Sequence, residues 1–263
     1  MVHGLSLLVL VSSASAHADN RLYFRAGLAH LTPMSKSQEL VLSDVHGPAS
    51  LAIMDGPVAG SGAAIDPVTV PAVIIGYTLP VLHDRLSLET LVGVPFKVHF
   101  RATGTLATMS LAPDALGLPT GVPALGSDLG EATAAPPIVT AVYHPVDLGP
   151  VLPYVGAGVG VLVTYGAHAT NPVLTEVAQP RFHVDPAAGL VLQTGFDLRI
   201  SRRVTARADL KYIAFMKAHA EVDDIEVATP GLPLLESARV GNATMDMMVN
   251  PLVVQLGLGV AFF

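Results

Sequence analysis

The chain has 263 residues, 51% of them hydrophobic and only 13% charged, with no cysteine, no tryptophan and a formal net charge of −7. Nucleic acid is excluded as a partner, because phosphate contacts need clustered Lys and Arg and the 14 basic residues are scattered. The mean hydropathy of +0.55 exceeds that of an ordinary soluble domain, and the absence of cysteine suits passage through an oxidising compartment.

Residues 5–13 form a short apolar core followed by Ala14-Ser15-Ala16 and Ala16-His17-Ala18, each an A-x-A cleavage pattern. Residues 1–18 are therefore read as a secretory signal peptide cut after Ala16 or Ala18, leaving 19–263 as the mature chain. Eight period-two or apolar segments follow, at about Asn20–Thr32, Asp66–Leu79, Arg85–Phe100, Ala135–His144, Val151–Gly166, Asp185–Ile200, Val204–Ala220 and Asp246–Phe263. Each is long enough for the roughly 9 to 11 residues that cross an outer membrane as a tilted strand. The uncharged run Leu148–His168 is near the length of a spanning helix, but Pro150, Pro153 and the alternate glycines Gly156, Gly158 and Gly160 make it a strand.

Connections alternate strictly. Pro80–Asp84, Pro145–Pro150 and Ser201–Arg203 are tight, whereas Pro33–Ile65, Arg101–Thr133, Ala167–Val184 and Glu221–Met245 are long. The expected fold is all-β: an eight-stranded antiparallel transmembrane β-barrel in a bacterial outer membrane, with short periplasmic turns and long extracellular loops. Segments such as Leu116–Leu125 make the extracellular mouth greasy.

Alternation assigns faces. On the third segment Leu86, Leu88, Val92, Val94, Phe96, Val98 and Phe100 share the lipid side, opposite Glu89 and Lys97. Leu190 to Ile200 oppose Gln193, Asp197 and Arg199; Val204 to Ala214 oppose Arg207, Asp209 and Lys211; Leu22 to Leu28 leave Tyr23 and Arg25 inward. The last strand runs Leu252, Val254, Leu256, Leu258, Val260, Phe262 toward lipid and ends on Phe262-Phe263, a C-terminal assembly signal for the barrel-assembly machinery. An eight-strand interior is only wide enough to be filled by side chains, so Arg25, Glu89, Lys97, Asp197, Arg199, Arg207, Asp209 and Lys211 are expected to meet inside as a charged network. Aromatic girdles would draw on Tyr23, Phe24, Phe96, Phe100, Tyr143, Tyr154, Tyr165, Phe182, Tyr212 and Phe215.

The chain resembles the OmpW family of outer-membrane proteins, which includes an alkane-uptake protein. The resemblance rests on Tyr23-Phe-Arg-Ala-Gly27, Leu88-Glu-Thr-Leu91, Pro95-Phe96, Ala135-Pro-Pro-Ile138, Pro153-Tyr-Val-Gly-Ala-Gly-Val159, Gly195-Phe-Asp197, Asp209-Leu-Lys-Tyr212 and Asn250-Pro251. It implies a Gram-negative outer-membrane channel for passive uptake of small hydrophobic molecules, entering through an apolar extracellular mouth and leaving laterally into the membrane. Pro71, Pro95, Pro136 and Pro137 remove ladder donors and are the positions where the wall could part, or else bulges that shape it. A structural or adhesive barrel and a narrow ion-conducting pore are the rival readings. No Ser-His-acid or metal-ligand spacing stands out among the scattered histidines, so neither an enzyme nor a cofactor is expected. The expected partners are outer-membrane lipid, lipopolysaccharide and small apolar solutes.

Overall fold

The computed structural model describes residues 21–232 and 234–261. The predicted signal peptide, residues 1–18, and the terminal Phe262-Phe263 lie outside them. Eight strands close into one antiparallel barrel: β1 (Leu22–Pro33), β2 (Val68–Thr78), β3 (Leu86–Gly93), β4 (Ile138–Tyr143), β5 (Val151–Leu162), β6 (Ala187–Arg199), β7 (Val204–Ala214) and β8 (Pro251–Ala261). Each strand pairs with its neighbour in sequence, and β8 returns to β1 along a ladder that ends at Pro33↔Pro251. Closure satisfies the backbone where no water is at hand and leaves no edge.

The outer face is a continuous apolar band. Leu28, Leu192 and Leu256 are about 60% exposed, while Gln193, Asp197, Arg207, Asp209 and Gln255 on alternate positions are buried. A surface that is greasy outside and polar within is inverted relative to a soluble protein, and hydrocarbon is the solvent it fits.

Above the barrel every strand breaks and restarts. Pro33, Pro67, Pro95, Pro136 with Pro137, Pro186 and Pro251 mark the break on six strands; Val163 and Phe215, the latter in the left-handed region at φ 61°, mark it on the other two. The restarted segments Phe96–Gly104, Asp128–Ala134, Thr164–Ala169, Arg181–Val184, Lys217–Ala228 and Ser237–Met248, joined by Ser61–Ile65, Val41–Ser43, Gly56–Pro57 and Lys36–Ser37, form a second, 10-stranded sheet. Its two edges are stitched by side chains: Ser61 Oγ accepts from Leu40 N at 2.7 Å, Ser37 Oγ from Ala63 N at 2.9 Å and Glu39 Oε1 from Gly60 N at 2.8 Å.

The long extracellular loops expected from the sequence are present, and much of their length is strand. The residues of Lys217–Ala228 do alternate, Lys217, His219 and Glu221 against Ala218, Ala220 and Val222, but with small apolar partners that give a weak period-two signal. The breaks also invert the faces. On β3 the even positions Leu88 and Val92 face out; past Pro95 the even positions Phe96, Val98 and Phe100 turn inward and Lys97 and His99 turn outward. A one-residue slip exchanges the two faces of a strand, which removes Phe96, Val98 and Phe100 from the lipid side. Five of the proposed girdle aromatics, Tyr23, Phe96, Phe100, Tyr154 and Phe182, are thus interior.

Because Leu256 stands in the lipid band, Leu256→Arg is expected to destabilise the barrel by about 2–4 kcal/mol if it lies at mid-bilayer. The inward Val253→Ala should cost less, and urea titration of both variants in lipid vesicles measures the difference.

Candidate functional site: an apolar column above a charge plug

Large inward side chains fit so narrow a lumen only where the neighbouring strand offers glycine. Tyr154 on β5 lies opposite Gly195 on β6, where a Cβ would stand 2.5 Å from the phenol oxygen; Tyr23 lies across Gly76, and Arg25 across Gly259, where a Cβ would sit 2.6 Å from Arg25 Cγ. These packings aim four strands at one point. Arg207 donates through Nε and Nη2 to both oxygens of Asp197 at 2.7 and 2.8 Å, and through Nη1 to Glu89 at 2.7 Å. Arg25 bridges the same two acids, at 2.8 Å to Glu89 and 3.0 Å to Asp197. Tyr23 donates to Glu89 at 2.7 Å, and the guanidinium of Arg207 stacks 4.2 Å from the Tyr154 ring centre. Lys211 pairs with Asp209, which also accepts from Gln193 Nε2 at 3.1 Å.

Three cations and three acids thus share one buried cluster. Its net charge is zero, which is the condition for holding it in a low-dielectric interior. The arrangement is a plug across the lumen. Of the eight charged residues assigned to the interior, six meet there and two do not. Lys97 lies above the break, on the outward face, and binds Glu131. Arg199 sits at the short-turn end of β6, exposed, with Asp147 at 3.0 Å. The slip at Pro95 explains the first and strand length the second. Tyr23, Gln193, Tyr154 and Gln255 complete the plug, and His144, 3.3 Å from Asp197, joins it from just past the end of β4; all fall on inward positions of the alternation.

Above the plug the interior is greasy. A lower cavity of about 80 Å³ lies at the level of the breaks, lined by Leu31, Val68, Phe96, Ile138, Ile213 and Met216. An upper one of about 80 Å³ lies inside the extension, lined by Leu42, Leu106, Leu125, Phe182 and Met245. Phe100, Ala220 and Met247 border both. Leu42, Leu106 and Leu111 in turn separate the upper cavity from a third, about 210 Å³, beside the exposed Met54 and Met109. The roof is the segment between Phe96–Gly104 and Asp128–Ala134, pinned by the buried Asn171, whose Nδ2 donates to the carbonyls of Leu125, at 2.7 Å, and Asp128. Asn171 carries no periodic signal in the sequence.

The wall is parted beside the lower cavity. Pairing of β2 with β3 stops at Ala72↔Gly93 and resumes above only at Ile65↔Phe100, so that Pro67–Pro71 and Val94–Val98 face each other with no ladder between them. Asp66 closes the top of this seam, through its N–H to His99 O at 3.2 Å and its carboxylate to Arg101 Nε at 2.5 Å. Pro71 pairs only toward β1, opposite Leu28. A second, smaller interruption separates Val92–Pro95 from Ala135–Pro137.

The profile of the OmpW family matches residues 19–262. The chain belongs to the OmpW family. Its outer-membrane setting follows, with the tight turns on the periplasmic side and the extension outside the cell. The chain is 31% identical over 105 residues to the uncharacterized outer-membrane protein y4mB of Sinorhizobium fredii, a stretch covering 39% of this chain and 42% of that relative. The crystal structure of the outer membrane protein OprG from Pseudomonas aeruginosa superposes with a TM-score of 0.67 at 17% identity, over 92% of this chain and 95% of that one. The outer membrane protein AlkL, solved in lipid bilayers, gives 0.51 at 18% identity, over 95% of both. At these identities the likeness is one of fold.

Removing one member of the plug strands its partners. Glu89→Ala should cost about 3–5 kcal/mol, because it leaves Arg25 and Arg207 buried with Asp197 alone, while Lys97→Ala, at an exposed pair, should cost under about 1 kcal/mol; unfolding midpoints in micelles test the contrast. Outside the membrane, the hydrogen bond from Lys97 holds Glu131 below the usual carboxylate range, and that from His219 does the same for Asp246. A carboxylate with a depressed folded value adds stability above its unfolded value and loses it as pH falls through the folded one. Carboxyl NMR titration should find both groups low, with Lys97→Ala returning Glu131 toward the ordinary value.

Proposed function

We propose that this barrel is a passive conduit for small apolar molecules, which enter beside Met54 and Met109, descend through the two stacked cavities and leave sideways between β2 and Phe96–Gly104. The observation that carries this reading is the conjunction of three adjoining features: an apolar cavity, a neutral plug beneath it and a wall without a ladder beside it. A solute that reaches the lower cavity meets buried ion pairs below and hydrocarbon at its flank, so the downhill direction for an apolar molecule is lateral. Val68 and Phe96, one on each lip, line that cavity, and Pro67, Pro71 and Pro95 leave the parted strands with fewer amide donors to satisfy. The lining offers an apolar solute contact but few hydrogen bonds, which favours hydrocarbons over sugars or amino acids. The family resemblance points the same way.

The plug weighs against a narrow ion pore, since Arg207 on β7 and Glu89 on β3 are buried and paired across the lumen. The reading assigns no catalytic step and no cofactor. Insertion is assigned to the barrel-assembly machinery acting on the C-terminal strand.

Two substitutions test the route. Ala220→Trp fills the junction of the cavities and should reduce uptake of an apolar tracer such as toluene to the level of cells lacking the protein, with the barrel still heat-modifiable on gels. Because the chain has no cysteine, Thr69→Cys with Lys97→Cys places one thiol on each lip. Cross-linking them should abolish uptake, and reduction should restore it. Undiminished uptake through the cross-linked barrel would rule out exit at this seam.

A further inference from the structure

One further cavity is neither apolar nor on the uptake route. It is a vestibule of about 590 Å³ at the periplasmic end, closed above by the plug. Its floor is Arg25, which is 8% exposed; Glu89 and Asp197 hold its two terminal nitrogens, and its Nε has no hydrogen-bond partner. Around the mouth stand Arg85, Arg199, Arg202 and Arg203, against the acids Asp84 and Asp147. Asp147 is engaged by Arg199 and Asp84 by Arg21, while Arg85 donates to the carbonyl of Pro145 at 2.8 Å. A chain whose overall charge is −7 therefore concentrates positive charge in one concavity.

We propose that this vestibule binds a small multivalent anion bearing carboxylate or phosphate groups from the periplasmic side. Three physical features support the assignment. The lining holds five arginines, Arg25, Arg85, Arg199, Arg202 and Arg203, against three aspartates, Asp84, Asp147 and Asp197, and a cleft with an excess of one sign of charge between low-dielectric walls focuses the field and concentrates counter-ions. Guanidinium forks match the planar oxygens of carboxylates and phosphates. The acid of the floor is already saturated, because Asp197 receives Arg207, Arg25 and His144, so an entering anion meets a compensated carboxylate rather than a bare one. The volume suits a metabolite-sized ion, and the plug stops it from passing further. Such a site gives this outer-membrane protein a second ligand, of opposite character to the first and on the opposite side of the membrane.

The test is calorimetric titration of the full-length barrel in micelles of a zwitterionic detergent, with citrate and inorganic pyrophosphate as probes and acetate and glucose as controls. Citrate and pyrophosphate are expected to bind saturably, acetate weakly and glucose not at all, with affinity falling as salt rises. Arg85→Glu combined with Arg202→Glu, both in exposed turns, should weaken binding by about tenfold or more by reversing two charges at the mouth. Lys97→Glu, on the far side of the membrane, should leave it unchanged. The proposal is overturned if citrate and pyrophosphate give no saturable heat, or if the double variant binds as the parent does. Repeating the titration in vesicles with and without phosphatidylglycerol separates the sources: competition by the vesicle identifies a lipid headgroup phosphate as the occupant, and its absence a soluble anion.

Discussion

Hydrogen bonding of the backbone in hydrocarbon governs everything else in this molecule. A strand in lipid has no water to turn to, so each N–H and C=O must find a neighbour, and only a closed cylinder supplies one for every strand. The barrel obeys this along its lower height. At the breaks it does not: Pro67–Pro71 and Val94–Val98 face each other unpaired. Proline makes that tolerable, because an imide nitrogen has no proton to leave unsatisfied. Thus the seam where the wall parts coincides with the residues that demand least of it.

The same constraint shapes the interior. Eight strands leave a lumen that side chains must fill, and this chain fills it in two ways. Below, three cations and three acids neutralise one another across four strands, and glycine at Gly76, Gly195 and Gly259 makes room for Tyr23, Tyr154 and Arg25. Above, leucine, methionine, phenylalanine and alanine leave gaps instead of contacts. Such a septum of ion pairs is costly for an apolar molecule to cross, whereas the apolar column is not.

Much of this was legible in the sequence because alternation with period two survives wherever a strand separates lipid from a polar lumen. Eight strands, the closing strand Leu252–Val260 and six of the charged interior residues follow from it. Lys97 and Arg199 do not fit, for different reasons. Arg199 keeps the right face of β6 but lies beyond the depth at which the lumen is closed. Lys97 keeps the right spacing from Glu89, yet Pro95 intervenes, and counting by twos across a break reads the wrong side. The extension was hidden for a related reason. Its inner face is built largely of alanine, valine and glycine, small side chains that give a weak apolar signal opposite the histidines, acids and basic residues of the outer face, in segments rich in Pro and Gly.

The break at Pro95 carries more than a reversal of faces. Had the alternation of β3 continued, Phe96, Val98 and Phe100 would lie in the bilayer, and Lys97 and His99 would project into the lumen where the lower cavity is. The slip exchanges them: the aromatic residues become the wall of the cavity, and Lys97 and His99 move to the outer surface, above the apolar band, where Glu131 and water receive them. One irregularity therefore supplies aromatic lining to the lower cavity, coincides with the unpaired stretch of wall beside it and turns Lys97 and His99 away from it, so the cavity wall and the seam share a single local event in the chain rather than being separately built features.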